Sequence, residues 1–249
     1  MLIMSNIFMS TSLLWLAKDA AGCFDEPIAD GQCDKSIYGM KAESFITTIA
    51  TVAAVLSALF MPICGALVDY TPHRKLVGIV TAIIMIAIQA AQIGTVEQTW
   101  LAMGILQALA AFIYQLQLVA LYAYIPEVAR QVGEVTMTRF SSHFTLSQFS
   151  MSVIFLATIT GISIVLNSSA VVTGQISQGV NTVTSMICFS VGWFKYLTPR
   201  PALRAVPEGH WLLLEGFKQN WNTVKSVQNN YKHGLRYFLV AVVFAEACT

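Results

Sequence analysis

Hydrophobic positions in this chain come in long unbroken runs, not in the alternation of a half-buried strand or the single stripe of a soluble helix. Residues 45–68, 76–94, 100–125, 144–166 and 170–197 are each predominantly apolar. A helix needs about 20 such residues to cross the hydrocarbon core of a bilayer. An earlier run, 1–17, is shorter and interrupted by Ser5, Asn6, Ser10 and Ser12, and it is read as the first span. A last run, 237–248, opens a seventh. The pattern predicts an all-α membrane protein: a six-helix bundle followed by the start of another span.

Composition changes the picture only by removing the alternative of a soluble core. Of 249 residues, 56% are hydrophobic and 11% charged, with a mean hydropathy of +0.65. A soluble domain carries roughly 25% charged residues, so the solvent for most of this surface is lipid. The net charge of +1 gives no basis for a nucleic-acid partner.

Charge placement predicts orientation. The loop 18–43 holds Lys18, Lys35 and Lys41 against six carboxylates. Arg74, Lys75, Arg130, Arg139, Lys195 and Arg200 fall in alternate connections together with Arg204, Lys218, Lys225, Lys232 and Arg236, which puts 11 of 14 cations on one side. Cations collect on the cytosolic side, so the amino terminus and the long loop 198–236 are expected in the cytosol and loop 18–43 outside or in a lumen. Cys23 and Cys33 share that loop, where an oxidising lumen would let them pair and a reducing one would leave two thiols. Residues 1–17 also admit reading as a cleaved signal peptide with Ala21 and Gly22 near the cut, but no Lys or Arg precedes the apolar run. The cysteines lack zinc-site spacing, and no metal or cofactor is expected.

Polar groups within the spans are the candidates for function, because each is costly in hydrocarbon without a partner or a wet cavity. In the fourth span Gln107 and Tyr114 lie seven apart on nearly one face, flanked by Gln115 and Gln117. Asn181 in the sixth span and Glu246 in the seventh complete the set. These six residues read either as a polar cavity wall or as interhelical hydrogen-bond partners. In the second span Ala50, Ala54 and Ala58, with Ala53 and Ser57 beside them, suit close helix packing.

Between the second and third spans stands Gly65-Ala-Leu-Val-Asp69-Tyr-Thr-Pro-His-Arg74-Lys75. It resembles the signature loop of the major facilitator superfamily, GxxxD followed by two cations. Gly65 would permit close helix contact, Asp69 would accept bonds from a helix end or a cation of a facing half, and Arg74 and Lys75 would hold acidic or carbonyl groups. Such a charged latch stabilises one end state of a rocking transporter. Tyr124-Ile-Pro-Glu127 after the fourth span, Arg200-Pro-Ala-Leu-Arg-Ala-Val-Pro207 after the sixth, and the run 237–246 ending in Glu246 narrow the resemblance. With the acidic first loop, they look like the autophagy-related vacuolar effluxers of that superfamily.

The resemblance implies a multi-pass vacuolar transporter of small solutes, amino acids foremost, working by alternating access. It implies that residues 1–197 are the amino-terminal bundle, 198–236 a cytosolic linker and 237–249 the start of a second half otherwise absent from the chain. The chain departs from the superfamily in four ways: the loop is one residue longer, Gly104 stands where proton-linked members carry Arg, Gly161 stands alone in the fifth span, and Glu246 replaces an expected Asp. In the linker, Leu213, Phe217, Trp221 and Val224 recur at helical spacing, which predicts an amphipathic helix on the membrane surface over 209–227. Two rival classes are a non-transporting or truncated membrane scaffold and a membrane-embedded enzyme. The second is not expected, because the spans contain no HExxH, GxSxG or Asp pair.

Overall fold

The structure, a computed structural model, describes residues 2–24, 35–202 and 211–230, together with Gly234 and Tyr237. Glu246, Cys33 and nearly all of the expected seventh span lie outside the described residues. The chain is an all-α membrane protein: α1 (Leu2–Ala20), α2 (Ser44–Tyr70), α3 (Arg74–Gln92), α4 (Trp100–Tyr122), α5 (Ile125–Val132), α6 (Glu134–Leu166), α7 (Ala170–Ser190) and α8 (Leu212–Asn230). A two-residue antiparallel ribbon, β1 (Ser36–Ile37) with β2 (Met40–Lys41), lies between α1 and α2. Cys23 in the same loop is disulfide-bonded, with its partner outside the described residues.

Among the described residues, four helical stretches are long and apolar enough to cross a membrane: Ser44–Tyr70, Arg74–Gln92, Trp100–Val132 and Val135–Leu166. α1 and α7 fall short of that measure because both are rich in hydroxyl and amide side chains. Those side chains turn inward. Ser5, Ser12, Ser177, Gln178 and Asn181 are all buried, and Ser5 meets Ser177 at 3.5 Å where α1 packs along α7.

The remaining core is largely apolar and lies in three places, one of them built by Ala82, Ala120, Tyr124 and Trp193. Met9, Leu13 and Leu16 of α1 pack with Phe45 of α2 and Trp100 of α4. Met85 and Ile88 of α3 pack with Ile113 and Leu116 of α4. Gly104 belongs to the α2–α4 contact, since a Cβ there would come within 2.5 Å of the Phe45 ring. Position 104 is thus closed by an aromatic side chain.

Several elements depart from the hydropathy reading. α6 begins at Glu134, ten residues before the apolar run, because an established helix adds polar residues such as Thr138, Arg139 and Ser142 at little cost. The sixth run is not one helix: α7 stops at Ser190 and continues as a π-helix, Val191–Tyr196. A π-turn is wider than an α-turn, and here it carries Trp193, which is 2% exposed, into the bundle. The small residues of α2 also face unexpectedly, with Ala50, Ala54 and Ala58 exposed and only Ala53 packed inward.

α8 meets α2 through a face other than its apolar stripe. Phe217, Trp221 and Val224 are exposed, whereas Glu215 and Gly216 are buried against α2. Gly216 sits so close to the Pro62 carbonyl that no larger residue would fit without movement.

Candidate functional site

Arg74 is the first residue of α3, where a cation opposes the helix dipole. It is nevertheless fully buried. Its guanidinium donates to the Ala123 carbonyl at 3.0 Å, to Glu127 Oε1 at 3.0 Å and to the Pro201 carbonyl at 3.4 Å, and it stacks 5.1 Å from the Tyr124 ring centroid. Arg200 Nε approaches the other oxygen of Glu127 at 3.4 Å, and the Tyr124 hydroxyl donates to the Thr198 carbonyl. Glu127 lies in the first turn of α5, the end of a helix that favours a carboxylate. One charged knot therefore ties the start of α3, the α4–α5 junction and the strand of chain after the π-helix.

This knot unites three sequence features that are far apart in the chain: the loop arginine, the Tyr-Ile-Pro-Glu run and the Arg-Pro run. It also divides the expected latch. Arg74 is spent within the bundle, while Asp69 and Lys75 are half-buried and carry no hydrogen bond or ion pair among the described residues. Gly65 makes no close helix contact, since a Cβ there would meet nothing within 4 Å. The close approach on α2 falls on a neighbouring arc, at Pro62 and Ala66 under α8. At 100° per residue, Ala50, Ala54, Ala58, Gly65 and Asp69 share roughly 100° of arc. α2 thus presents an open face of small residues over Ala50, Ala54 and Ala58; further along the same arc Met61 and Val68 pack inward and Asp69 has no partner among the described residues.

Deeper in the bundle the polar residues separate into two groups. The first is satisfied. Gln92 donates to Gln107 at 2.7 Å, joining α3 to α4. Gln117 satisfies all its neighbours with its nitrogen toward Thr81 Oγ1 and the Gly78 carbonyl and its oxygen accepting from Trp193 Nε1 at 2.7 Å. Gly78 is required beneath that indole, because a Cβ would overlap the ring. Gln107 and Gln117 are therefore interhelical partners.

The second group is buried without partners: both amide atoms of Gln89, both of Gln178 and Oδ1 of Asn181. An unmet polar group in an apolar interior costs about 1–3 kcal/mol; of these residues, Asn181 borders a cavity. Asn181 and Tyr114 line one cavity of about 390 Å³ between α4, α6 and α7, together with Gln148, Thr184 and Ser185. Gln115 is exposed. Of the six candidates, the structure brings together Tyr114 and Asn181, ties Gln107 and Gln117 into the α3 interface, turns Gln115 outward and does not describe Glu246.

Gln89, Gln92 and Gln178 are absent from the sequence candidates. The rule that selected Gln107 and Asn181, an amide within an apolar run, picks them equally well when applied to the third and sixth runs. Trp193 had no such signal, because nothing in its neighbourhood marks a π-turn.

A family model described as vacuole effluxer Atg22 like matches residues 2–248. No curated protein and no solved structure matches the chain.

Proposed function

Because the chain belongs to the vacuole effluxer Atg22-like family, we infer that it forms the amino-terminal bundle of a vacuolar transporter that exports small polar solutes, amino acids among them, by alternating access. The bundle crosses the membrane six times, with α1 and α7 added to the four apolar stretches. Its amino terminus and the linker bearing α8 are cytosolic. Residues 1–197 make the bundle, 198–236 the linker and 237–249 the opening of a second half. The chemistry is movement of a solute and not catalysis.

The observation that carries this reading is the open face of α2. Small residues at four-residue spacing let helix backbones approach closely in lipid, yet Ala50, Ala54, Ala58 and Gly65 face no helix of the bundle. Asp69, at the end of that face, lacks the partner a membrane-edge carboxylate needs. A second bundle seated on α2 supplies both. Closing and opening that contact is the rocking step, while Arg74 and Glu127 keep each bundle rigid as it moves. The Tyr114–Asn181 cavity faces α6, and a zwitterionic solute there would give Asn181 Oδ1 its missing donor.

Efflux of radiolabelled amino acids from vacuolar vesicles carrying the protein tests the reading. Asp69→Asn is expected to lower the initial rate at least about tenfold, equivalent to ~1.4 kcal/mol of lost latch energy, with the amount of inserted protein unchanged. An undiminished rate would sink it. Orientation is checked separately, by reducing the loop 18–43 and labelling Cys23 or Cys33 with impermeant reagent from each side in turn; labelling only from the cytosol would overturn it.

A further inference from the structure

α5 and the first third of α6 enclose two grooves that the transport reading does not use. One, of about 370 Å³, runs between α4, α5 and α6 past Tyr122, Val128, Phe140 and Phe144. The other, of about 740 Å³, lies on the opposite flank of α6 past Thr138, Leu146 and Phe149. Both are bordered by Ile125, Met137, Ser141 and Thr145, so this edge of α6 stands as a ridge with an apolar trough on each side. From Met137 to Phe149 the ridge is about 18 Å long at 1.5 Å per residue. One leaflet of hydrocarbon is about 15 Å thick.

Cations stand next in the chain to residues that line the troughs: Arg130 follows Val128 by two positions on α5, and Arg139 lies between Thr138 and Phe140 on α6. Both are exposed and have no ion pair among the described residues. Arg200, held to Glu127 in the knot, is 42% exposed. The acids of this region are Glu127, already held by Arg74 and Arg200, and Glu134. Ser141, on the ridge itself, has no hydrogen-bond partner and offers its hydroxyl to either trough.

We propose that the ridge is a phospholipid site: two acyl chains straddle Met137, Ser141 and Thr145 while Arg130 and Arg139 meet an anionic headgroup. Two troughs fit two chains, their length fits one leaflet, and the unpaired cations select the headgroup's charge. Ser141 donates to an ester carbonyl where the chains diverge. The site rests on the orientation given above only for which leaflet supplies the lipid.

The chain reconstituted in nanodiscs with acyl-diazirine phosphatidylserine or phosphatidylcholine tests this, with labelled peptides mapped by mass spectrometry. Phosphatidylserine is expected to label 137–149 about fivefold more than phosphatidylcholine, the preference roughly one surface cation provides. Arg130→Gln with Arg139→Gln should bring the ratio to about one without loss of helix content, and Ser141→Trp should remove labelling from both flanks. Symmetric nanodiscs make the outcome independent of orientation and of transport. Equal labelling by both lipids in the unaltered chain would mean ordinary boundary lipid and overturn the proposal. Chain-to-chain adducts in place of lipid adducts would assign the troughs to a second copy and overturn it as well.

Discussion

α6 and α7 are neighbours in sequence, joined by a left-handed Asn167 and a Ser169 cap, and they solve the bilayer problem in opposite ways. α7 buries Thr173, Gly174, Ser177, Gln178, Asn181 and Ser185, every one small or polar, and shows lipid Val183, Met186 and Ile187. α6 buries little and exposes apolar side chains along most of its length, Val153, Ile154 and Val165 among them. Since lipid solvates leucine as well as another helix does, apolar residues gain nothing by turning inward. What organises the bundle is the placement of groups lipid cannot solvate. α7 is fixed by its amides and hydroxyls, and α6 packs inward mainly through Ser152, Phe155 and Ile159.

The comparison breaks most readily at the charged knot, which anchors the fixed side. Arg74→Met would strand Glu127 against Arg200 alone at the edge of the apolar interior. Losing one member of a buried pair costs about 3–5 kcal/mol, and Glu127 keeps partial access to water, so a loss of about 3 kcal/mol is expected in detergent unfolding followed by circular dichroism.

A pair of substitutions sharpens the contrast directly. Ser177→Leu pushes a larger side chain into the α1–α7 contact and should cost about 1–3 kcal/mol in the same measurement. Val153→Leu, on the outward side of α6, should change stability by less than about 0.5 kcal/mol. Equal effects would erase the distinction between the two helices.

Smaller still is the contribution of a single satisfied amide. Gln117→Leu removes the bracket between Thr81, Gly78 and Trp193, and interhelical hydrogen bonds in membranes average about 0.6 kcal/mol with a maximum near ~1.7. A loss of stability within that range is expected in detergent unfolding, with Trp193 emission shifting as its N–H loses the acceptor. Least of all, Ala54→Leu on the open face of α2 should leave the stability of this chain unchanged while lowering efflux, because the cost falls on the contact with the facing bundle.

The sequence made the helix order and most boundaries readable because hydrocarbon length imposes a run that composition cannot hide. Residues such as Thr138 to His143 concealed the start of α6, since the helix there extends beyond the apolar run that hydropathy detects. The knot was out of reach for another reason: Arg74, Glu127 and Arg200 are separated by 53 and 73 positions, and spacing carries no information on contacts at that range. Gly65 shows a third limit. A small residue in a helix permits close approach but does not say which neighbour takes it, and here Gly216 against Pro62 makes the close contact instead. For the cavity, a polar residue within a span was enough to select Tyr114 and Asn181, but not to separate them from Gln107 and Gln117, whose partners on α3 only the fold reveals.

Asn181 offers the sharpest single test, because stability and function should move in opposite directions there. Its Oδ1 is buried with no partner among the described residues, so Asn181→Leu, of the same branched shape and with the adjoining cavity to take its larger methyls, should hold or raise the melting temperature while lowering amino-acid efflux at least about tenfold. A protein that melts earlier and transports normally would make Asn181 a structural bond and contradict the account of a solute-facing wall.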